Sequence, residues 1–149
     1  MSTEEVRTHS ALHVLKGAVV RAFGPRKTLS TRTSGTSGTL SVEFDRTPGE
    51  EEIQSIEHLA NRKIAENSEV LQFEMERQEA EGHFGPAIYD EPPAPGATRV
   101  SILRIPEWEV SCCDRKHIDT TGELIRIRIE KTRYNAGESR LEIDFQTPA

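Results

Sequence analysis

The sequence predicts a single α+β domain over residues 1–149, with two main helices packed on a largely antiparallel β-sheet. Three observations lead to this class. The chain opens with a long helical pattern, later segments alternate apolar and polar residues with a period of two, and short turns rich in Gly, Pro or Asn separate them. With 149 residues, the chain is long enough to bury one substantial core.

The first predicted element is a helix over Thr3–Phe23, which a Gly-Pro pair ends. Ser2 is predicted as its N-cap, within a capping box. Apolar residues recur along the helix and form one stripe. At 100° per residue, His9 and His13 lie to one side of this stripe, where a neighbouring loop could complete a site.

Two strands are predicted next, over Thr28–Thr33 and Thr39–Asp45, joined by a loop. The second strand alternates apolar and polar residues, so one of its faces should be buried. Its predicted inward residues are Leu40, Val42 and Phe44. The first strand is polar on both faces, which suits either an edge strand or the lining of a pocket for a small polar group.

A second helix is predicted from the capping box Thr47-Pro48-Gly49-Glu50 to about Asn67, with its isoleucines facing inward. A strand over Glu69–Met75 and a short helix over Arg77–Gly82 follow. The proline-rich stretch Glu91–Gly96 is interpreted as a loop within the domain and not as a linker between domains.

The last third of the chain alternates with a period of two and predicts four strands. These strands cover Arg99–Ile105, Glu107–Ser111, Leu124–Thr132 and Arg140–Phe145. The last two should form a hairpin around Asn135-Ala136-Gly137. Continuing the alternation beyond Ser111 predicts that Cys112 packs in the interior while Cys113 points to the opposite face.

Composition excludes several classes of protein. Hydrophobic residues make up 34% of the chain and charged residues 30%, which is typical of a soluble globular protein. No apolar run is long enough to span a bilayer and the N-terminus does not resemble a signal peptide, so we expect a cytoplasmic protein without membrane contact. The two cysteines are adjacent, which excludes a disulfide framework.

Charge is distributed unevenly along the chain. The net charge is −6, yet residues 6–42 contain no acid, whereas residues 43–81 contain twelve acids against four bases. The overall charge argues against nucleic-acid binding, but phosphates respond to the nearest face and the local charge permits it. On charge alone, ordinary solvated side chains are the simpler interpretation.

Two clusters carry a more specific chemical signal. His9 and His13 are four residues apart, so on a helix they share one face, and Cys113 and His117 repeat that spacing. Two such clusters offer three imidazoles and one thiolate, a set suited to zinc. The residues alone leave open a structural zinc site, a catalytic zinc site, histidines at a core edge without metal, and a Cys113 nucleophile with His117 as its base.

Both clusters carry a resemblance to a known family. The segment Arg7 to His13, RTHSALH, resembles the histidine motif of the editing domains of alanyl- and threonyl-tRNA synthetases. The segment Cys113 to His117, CDRKH, followed by Thr121-Gly122-Glu123, resembles the second motif. The resemblance covers nearly the whole chain and is closest to the short, free-standing AlaX homologues of the alanyl-tRNA synthetase editing domain.

This resemblance implies a zinc-dependent trans-editing deacylase that hydrolyses the ester of tRNA(Ala) wrongly charged with serine or glycine. It implies that His9, His13, Cys113 and His117 hold Zn2+, and that water activated by the metal attacks the ester. ATP is not expected as a cofactor. Ser30 and Thr31 are candidates for hydrogen bonding to the hydroxyl of a seryl substrate.

The resemblance also makes basic side chains near the two motifs candidates for contacts with the tRNA backbone. These candidates are Arg21, Arg26, Lys27, Arg32, Lys116, Arg126, Arg128, Lys131 and Arg133. Two alternatives keep the fold and change the function. One is a non-catalytic, zinc-stabilised tRNA-binding module, and the other is a hydrolase of a different ester.

Overall fold

A computed structural model of the protein describes residues 3–149, which form three α-helices and two antiparallel sheets. The helices are α1 (Thr3–Phe23), α2 (Glu50–Ala65) and α3 (Arg77–Phe84). The strands are β1 (Thr28–Ser34), β2 (Ser37–Glu43), β3 (Leu71–Glu76), β4 (Arg99–Ile105), β5 (Glu109–Cys112), β6 (Arg128–Asn135) and β7 (Arg140–Gln146). The predicted α+β class is confirmed. The predicted N-cap at Ser2 lies outside the described residues.

The strands divide into two sheets, where the sequence suggested one. The larger sheet has the order β1-β2-β7-β6 and the smaller has the order β3-β4-β5. Each sheet covers its own hydrophobic cluster: the main core lies against the larger sheet, and a small cluster around Ala80, Ile88, Val100 and Ile102 lies against the smaller. None of the helices in the described residues is both long and apolar enough to cross a membrane.

Helix α1 is buried on every side, because α2, both strands of the first hairpin and β5 all pack against it. Every residue from Thr8 to Val19 is buried. The predicted apolar stripe is therefore present, but the polar positions beside it are interior as well. His9 and His13, expected at the edge of the core, are 6% and 4% exposed.

Helix α2 starts later than predicted. Its N-cap is Gly49, and the Glu52 carboxylate accepts a hydrogen bond of 2.9 Å from the Gly49 N–H. The capping box predicted at Thr47 therefore lies two residues too early, because Glu52 satisfies the free N–H of Gly49 from position N3 of the helix. The predicted inward positions Ile56, Ala60 and Ile64 are buried.

The first hairpin and the smaller sheet follow the prediction with small shifts of boundary. The turn between β1 and β2 contains two residues, Gly35 and Thr36, instead of five. The predicted buried face of β2 is confirmed, and β4 has the predicted bounds. Strand β5 begins two residues after the prediction because a turn that ends at Trp108 precedes it, with the Trp108 N–H donating to the Ile105 carbonyl at 2.9 Å.

The C-terminal hairpin is confirmed, but its first strand begins at Arg128 and not at Leu124. Leu124 ends a short 3-10 helix and is fully buried. Ile125, predicted to face inward, is 61% exposed with φ 68° and ψ −60°. The Asn61 side chain fixes the backbone between this 3-10 helix and β6. It donates to the Ile127 carbonyl at 2.7 Å and accepts from the Ile127 N–H at 2.8 Å.

Candidate metal centre

The four predicted ligands converge in the structure. One donor atom from each of His9, His13, Cys113 and His117 lies within 4.8 Å of the other three. The Nε2 atoms of His13 and His117 are 3.2 Å apart, and His9 Nε2 is 3.3 Å from Cys113 Sγ. Zinc–nitrogen distances of about 2.0–2.1 Å place tetrahedral neighbours about 3.3 Å apart. The residues therefore fit a four-coordinate metal ion with nitrogen and sulfur ligands.

The local structure explains how distant segments meet. His9 and His13 lie one turn apart on α1, whereas Cys113 and His117 lie in the loop that follows β5. The alternation along β5 places Cys112 against the small cluster of the second sheet and Cys113 against the main core, as predicted. The Cys113 N–H donates to the Ser101 carbonyl at 3.0 Å, which fixes the start of the loop.

Hydrogen bonds behind the imidazoles differ from one histidine to the next. His13 Nδ1 lies 2.8 Å from Glu109 Oε2, and the Ser111 hydroxyl donates to the same carboxylate oxygen at 3.1 Å. His117 Nδ1 lies 3.1 Å from the Gln72 amide oxygen. His9 Nδ1 is buried and has no hydrogen-bond partner among residues 3–149. In all three histidines, Nε2 is therefore the atom directed toward the shared centre.

Sequence reasoning missed Glu109, Ser111 and Gln72. A signal for two of them was present, because Glu109, Ser111 and Cys113 occupy alternate positions and share the face of β5 that meets α1. No comparable local pattern indicates Gln72, which lies 45 residues from His117. Gln72 reaches the loop from β3, where its amide N–H group donates to the Arg115 carbonyl at 2.8 Å.

The electrostatics keep two of the imidazoles neutral. Burial, and then the neighbouring His13, lower the pKa of His9 to about 3. The same two causes lower the pKa of His117 to about 3. Neutral imidazole is the form that binds a metal ion, so both ligands are ready to coordinate at neutral pH.

His13 and Cys113 respond differently to burial. Burial alone would lower the pKa of His13, but hydrogen bonds with Cys113 and Glu109 raise it above its usual value. Burial alone would raise the pKa of the Cys113 thiol, but its hydrogen bond with His13 is the main influence that brings the pKa below its usual value. The arrangement therefore favours the thiolate, which is the metal-binding form of cysteine.

A cavity of about 580 Å³ lies behind His13, on the side of α1 that carries Lys16. Glu109 and Ser111, which hold His13, contribute to its lining, and the Lys16 ammonium donates to Asp90 at 2.5 Å inside it. The volume falls within the range of small-molecule pockets. Residues 25–27 of its lining belong to the connection between α1 and β1.

The structure places Ser30 and Thr31 away from the lining of this cavity. Both are exposed on β1, which is the edge strand of the larger sheet. The Ser30 hydroxyl accepts a hydrogen bond from the Arg140 guanidinium at 3.1 Å. Thr28, on the same strand, does line the cavity. The substrate role of Ser30 and Thr31 stays a prediction.

The predicted tRNA-contacting residues fall into two groups. Four of them bind groups of this chain: Arg21 donates to the carbonyls of Glu107 and Trp108, Arg26 donates to the Phe23 carbonyl, Arg128 pairs with Glu130, and Arg133 pairs with Asp144. The other five make no ion pair within residues 3–149. They are Lys27, Arg32, Lys116, Arg126 and Lys131.

Comparison with known proteins gives the relationship. No protein-family model matches the chain. The chain is 33% identical over 140 residues to the alanine–tRNA ligase of Thermococcus kodakarensis, which covers 93% of this chain and 15% of the ligase. It is also 33% identical over 140 residues to the ligase of Pyrococcus furiosus, with the same two coverages. The ligase of Methanopyrus kandleri is 32% identical over 152 residues, covering 95% of this chain and 16% of the ligase.

The chain thus spans about 15% of the length of the curated relatives it matches. The similarity extends over nearly all of the chain and includes both segments that supply the four converging donors. The two motifs, the antiparallel α+β fold and this similarity agree, and the chain belongs to the family of alanyl-tRNA synthetase editing-domain homologues.

Proposed function

We propose that this protein is a zinc-dependent deacylase that removes serine or glycine from mischarged tRNA(Ala), acting on the tRNA in trans. One observation carries the proposal. Four donor atoms suited to zinc lie within 4.8 Å of one another in a chain that is related to alanine–tRNA ligases over 93% of its length. The proposed reaction needs only water, so we expect no ATP requirement, and its proposed place is the cytoplasm.

The chain's own residues supply the framework for hydrolysis. Bound zinc would polarise water or the ester carbonyl, which is the chemistry expected of a catalytic metal. His9, His13, Cys113 and His117 would hold it, with Glu109 and Gln72 orienting two of the imidazoles. Cys113 is only half-buried, whereas the three histidines are buried. The cluster therefore meets solvent on the Cys113 side, which is where the acceptor end of the tRNA would enter.

Discrimination between serine and alanine requires a contact with the seryl hydroxyl. A pocket that hydrogen-bonds a hydroxyl rejects the analogue lacking it far better than an apolar pocket does. Ser30 and Thr31 carry hydroxyls on the exposed edge strand, and we propose them for this contact. If Thr31→Val leaves the preference for seryl over alanyl ester unchanged, Thr31 has no such role.

The proposed partner is the acceptor end of tRNA(Ala). Its phosphates would contact the five predicted basic residues that make neither an ion pair nor a side-chain hydrogen bond within residues 3–149, and arginines such as Arg133 would contribute less because they already bind carboxylates. Each phosphate contact should add about one unit to the slope of log binding constant against log salt. A slope near zero would reject the phosphate-contact role.

One observation favours a second candidate function. Four protein ligands around zinc are typical of structural sites, and all four donors are present here. A zinc-stabilised tRNA-binding module without catalysis would use the same four residues. It predicts tRNA binding without turnover, and unfolding when the metal is removed.

The deciding experiment is deacylation of seryl-, glycyl- and alanyl-tRNA(Ala) by the purified protein, before and after chelation and with zinc added back. The proposal predicts zinc-dependent loss of serine or glycine while alanine is retained. A tRNA complex without turnover would instead support the structural module. Hydrolysis of simple esters with no preference for aminoacyl-tRNA would indicate a hydrolase of another ester.

A further inference from the structure

The three histidines of the metal centre have unequal support on the side away from the shared centre. His13 has the Glu109 carboxylate, His117 has the neutral Gln72 amide, and the corresponding nitrogen of His9 has no partner within the described residues. All three rings are buried, at 4%, 7% and 6% exposure respectively, so water around the rings does not explain the difference. The inequality is a property of the side chains that surround them.

The contact with Glu109 determines which ring nitrogen of His13 is free to bind a metal. A carboxylate only accepts hydrogen bonds, so Nδ1 of His13 carries the hydrogen and Nε2 keeps its lone pair for the metal. The side chains of His13 and Glu109 are 5% and 10% exposed, so the interaction is weakly screened. A carboxylate in this position raises the basicity of the imidazole and fixes the orientation of its ring.

Charge gives Glu109 a second effect. Zinc with three neutral imidazoles and one thiolate carries a single positive charge, which is costly in a buried site unless an opposite charge lies near. Glu109 supplies that charge, and Ser111, which is 3% exposed, holds the carboxylate in place at 3.1 Å. Lys16 faces the same cavity, but Asp90 already pairs with it at 2.5 Å.

His117 has intermediate support. The Gln72 amide oxygen can accept from Nδ1 at 3.1 Å, and the amide nitrogen donates to the carbonyls of Arg115 at 2.8 Å and Cys113 at 3.3 Å. Those two bonds determine which end of the amide faces His117. The contact fixes the ring as Glu109 does for His13, but it brings no charge.

His9 contacts the sulfur ligand but has no support behind its ring within the described residues. Its Nε2 contacts Cys113 Sγ at 3.3 Å, and Cys113 is the one ligand that is only half-buried. The Nδ1 atom of His9 is buried and makes no hydrogen bond in the part of the chain that the structure describes, so no second contact fixes the orientation of the ring. The ligand without support is therefore in contact with the only ligand of the four that is half-buried.

We propose that Glu109 anchors this metal centre through His13, and that His9 is the weakest-held ligand, the one that can leave without releasing the metal. Glu109 is a positioning residue in this account, because it acts through His13. The inference rests on the metal centre of the proposed function and is independent of which ester is hydrolysed. It would also make a four-ligand site compatible with catalysis, since the departure of one ligand frees a coordination position.

The test is the affinity of the full chain for Zn2+, measured by competition with a chromophoric chelator. Glu109→Gln keeps the shape of the side chain and removes its charge, and we expect it to weaken zinc binding by about 10- to 100-fold. Glu109→Asp should recover part of that loss. The matched control is Glu107→Gln, an exposed glutamate in the same segment, which should leave the affinity unchanged.

The second arm compares ligand removals. His9→Ala should retain one equivalent of metal and bind it at least about tenfold more tightly than His13→Ala does. Cobalt(II) serves as a spectroscopic probe: the thiolate-to-cobalt absorption should persist in His9→Ala and be lost in His13→Ala at equal metal concentration. Circular dichroism of the metal-free variants checks that each one folds.

Equal zinc affinity of wild type and Glu109→Gln would overturn the anchoring role. Loss of metal from His9→Ala as complete as from His13→Ala would overturn the weak-ligand role. Failure of the proposed function looks different: the graded affinities would appear as expected, but no aminoacyl-tRNA would be hydrolysed. A wild-type chain that binds no zinc at all would overturn both.

Discussion

Helices α1 and α2 pack against each other, yet they differ in how much of their surface is buried. In α2, only Ile56, Ala60 and Ile64 are buried, four residues apart, and the remaining positions reach solvent to some degree. In α1, every residue from Thr8 to Val19 is buried, including five polar ones. An amphipathic helix needs one covered face, whereas a helix buried all round requires a partner for each polar side chain it carries.

Those partners come from distant parts of the chain. Thr8 donates to the Gly35 carbonyl at 2.7 Å, and Ser10 accepts from the Ile118 N–H at 3.1 Å. Lys16 pairs with Asp90. His9 and His13 meet the segment 113–117. Helix α1 is therefore the element that connects separate segments of the chain, and the candidate metal centre is one of those connections.

The largest effect should come from removing a ligand on α1. His13→Ala should lower zinc affinity by more than about 100-fold, because it removes the most strongly supported ligand, and deacylase activity should fall with it. His58→Ala is the matched control on α2, where the imidazole is exposed. A comparable loss of zinc affinity in both variants would show that the difference between the helices has no bearing on function.

The next effect concerns the packing of α1. Gly17 faces the Trp108 indole so closely that a β-carbon would overlap the ring. Gly17→Ala should therefore lower the free energy of unfolding by about 3 kcal/mol. Gly82→Ala on α3 has open space around the new carbon and should raise the free energy of unfolding by about 0.5–1 kcal/mol. Urea unfolding measures both, and equal changes would contradict the account.

The ion pairs on the two helices also differ in how far they are buried. Asp90→Asn leaves the Lys16 ammonium without its anion, and the Lys16 side chain is 9% exposed. We expect a loss of about 2 kcal/mol in unfolding free energy, below the range for fully buried pairs because Asp90 is 37% exposed. Glu66→Gln removes the partner of Lys63 on α2, and that carboxylate is 51% exposed. Its cost should stay below about 1 kcal/mol, and a larger value would contradict the distinction.

The smallest expected effect concerns two basic residues of β6 and the salt dependence of tRNA binding. Lys131 and Arg133 both lie on β6, but Arg133 binds Asp144 and Lys131 makes no ion pair with a described residue. Lys131→Ala should reduce the salt slope of tRNA binding by about one unit without changing stability. Arg133→Ala should lower stability and leave the slope nearly unchanged. The reverse pattern would assign the phosphate contact to Arg133.

Sequence reasoning succeeded where one local pattern determines the outcome. The buried face of α2, the inward apolar residues of β2, the alternation of β7 and the four-residue spacing of His9 and His13 all follow from a single periodicity. In β2, Ser41, expected to face outward, is buried as well. The placement of Cys112 and Cys113 against different hydrophobic clusters follows from the alternation of a strand. These features depend on neighbours in sequence, so the sequence contains enough information to predict them.

Other features depend on contacts that no local pattern encodes. The burial of the polar side of α1 results from packing by several separate elements, and the contact between Gln72 and His117 joins residues 45 positions apart. Ile125 belongs to an apolar alternation in the sequence, yet its φ is positive. The buried Leu124 before it and the hydrogen bonds of Asn61 with Ile127 after it hold the backbone in this turn. Tertiary packing overrides the local preference at each of these positions.

The most direct test of the account is a zinc titration of metal-free protein, with the initial rate of seryl-tRNA(Ala) deacylation measured after each addition. The account predicts a rate that rises linearly to one equivalent of zinc and then stays constant, and no such rise for His13→Ala. Full activity in the metal-free protein would contradict the claim that the cluster on α1 is the catalytic metal centre.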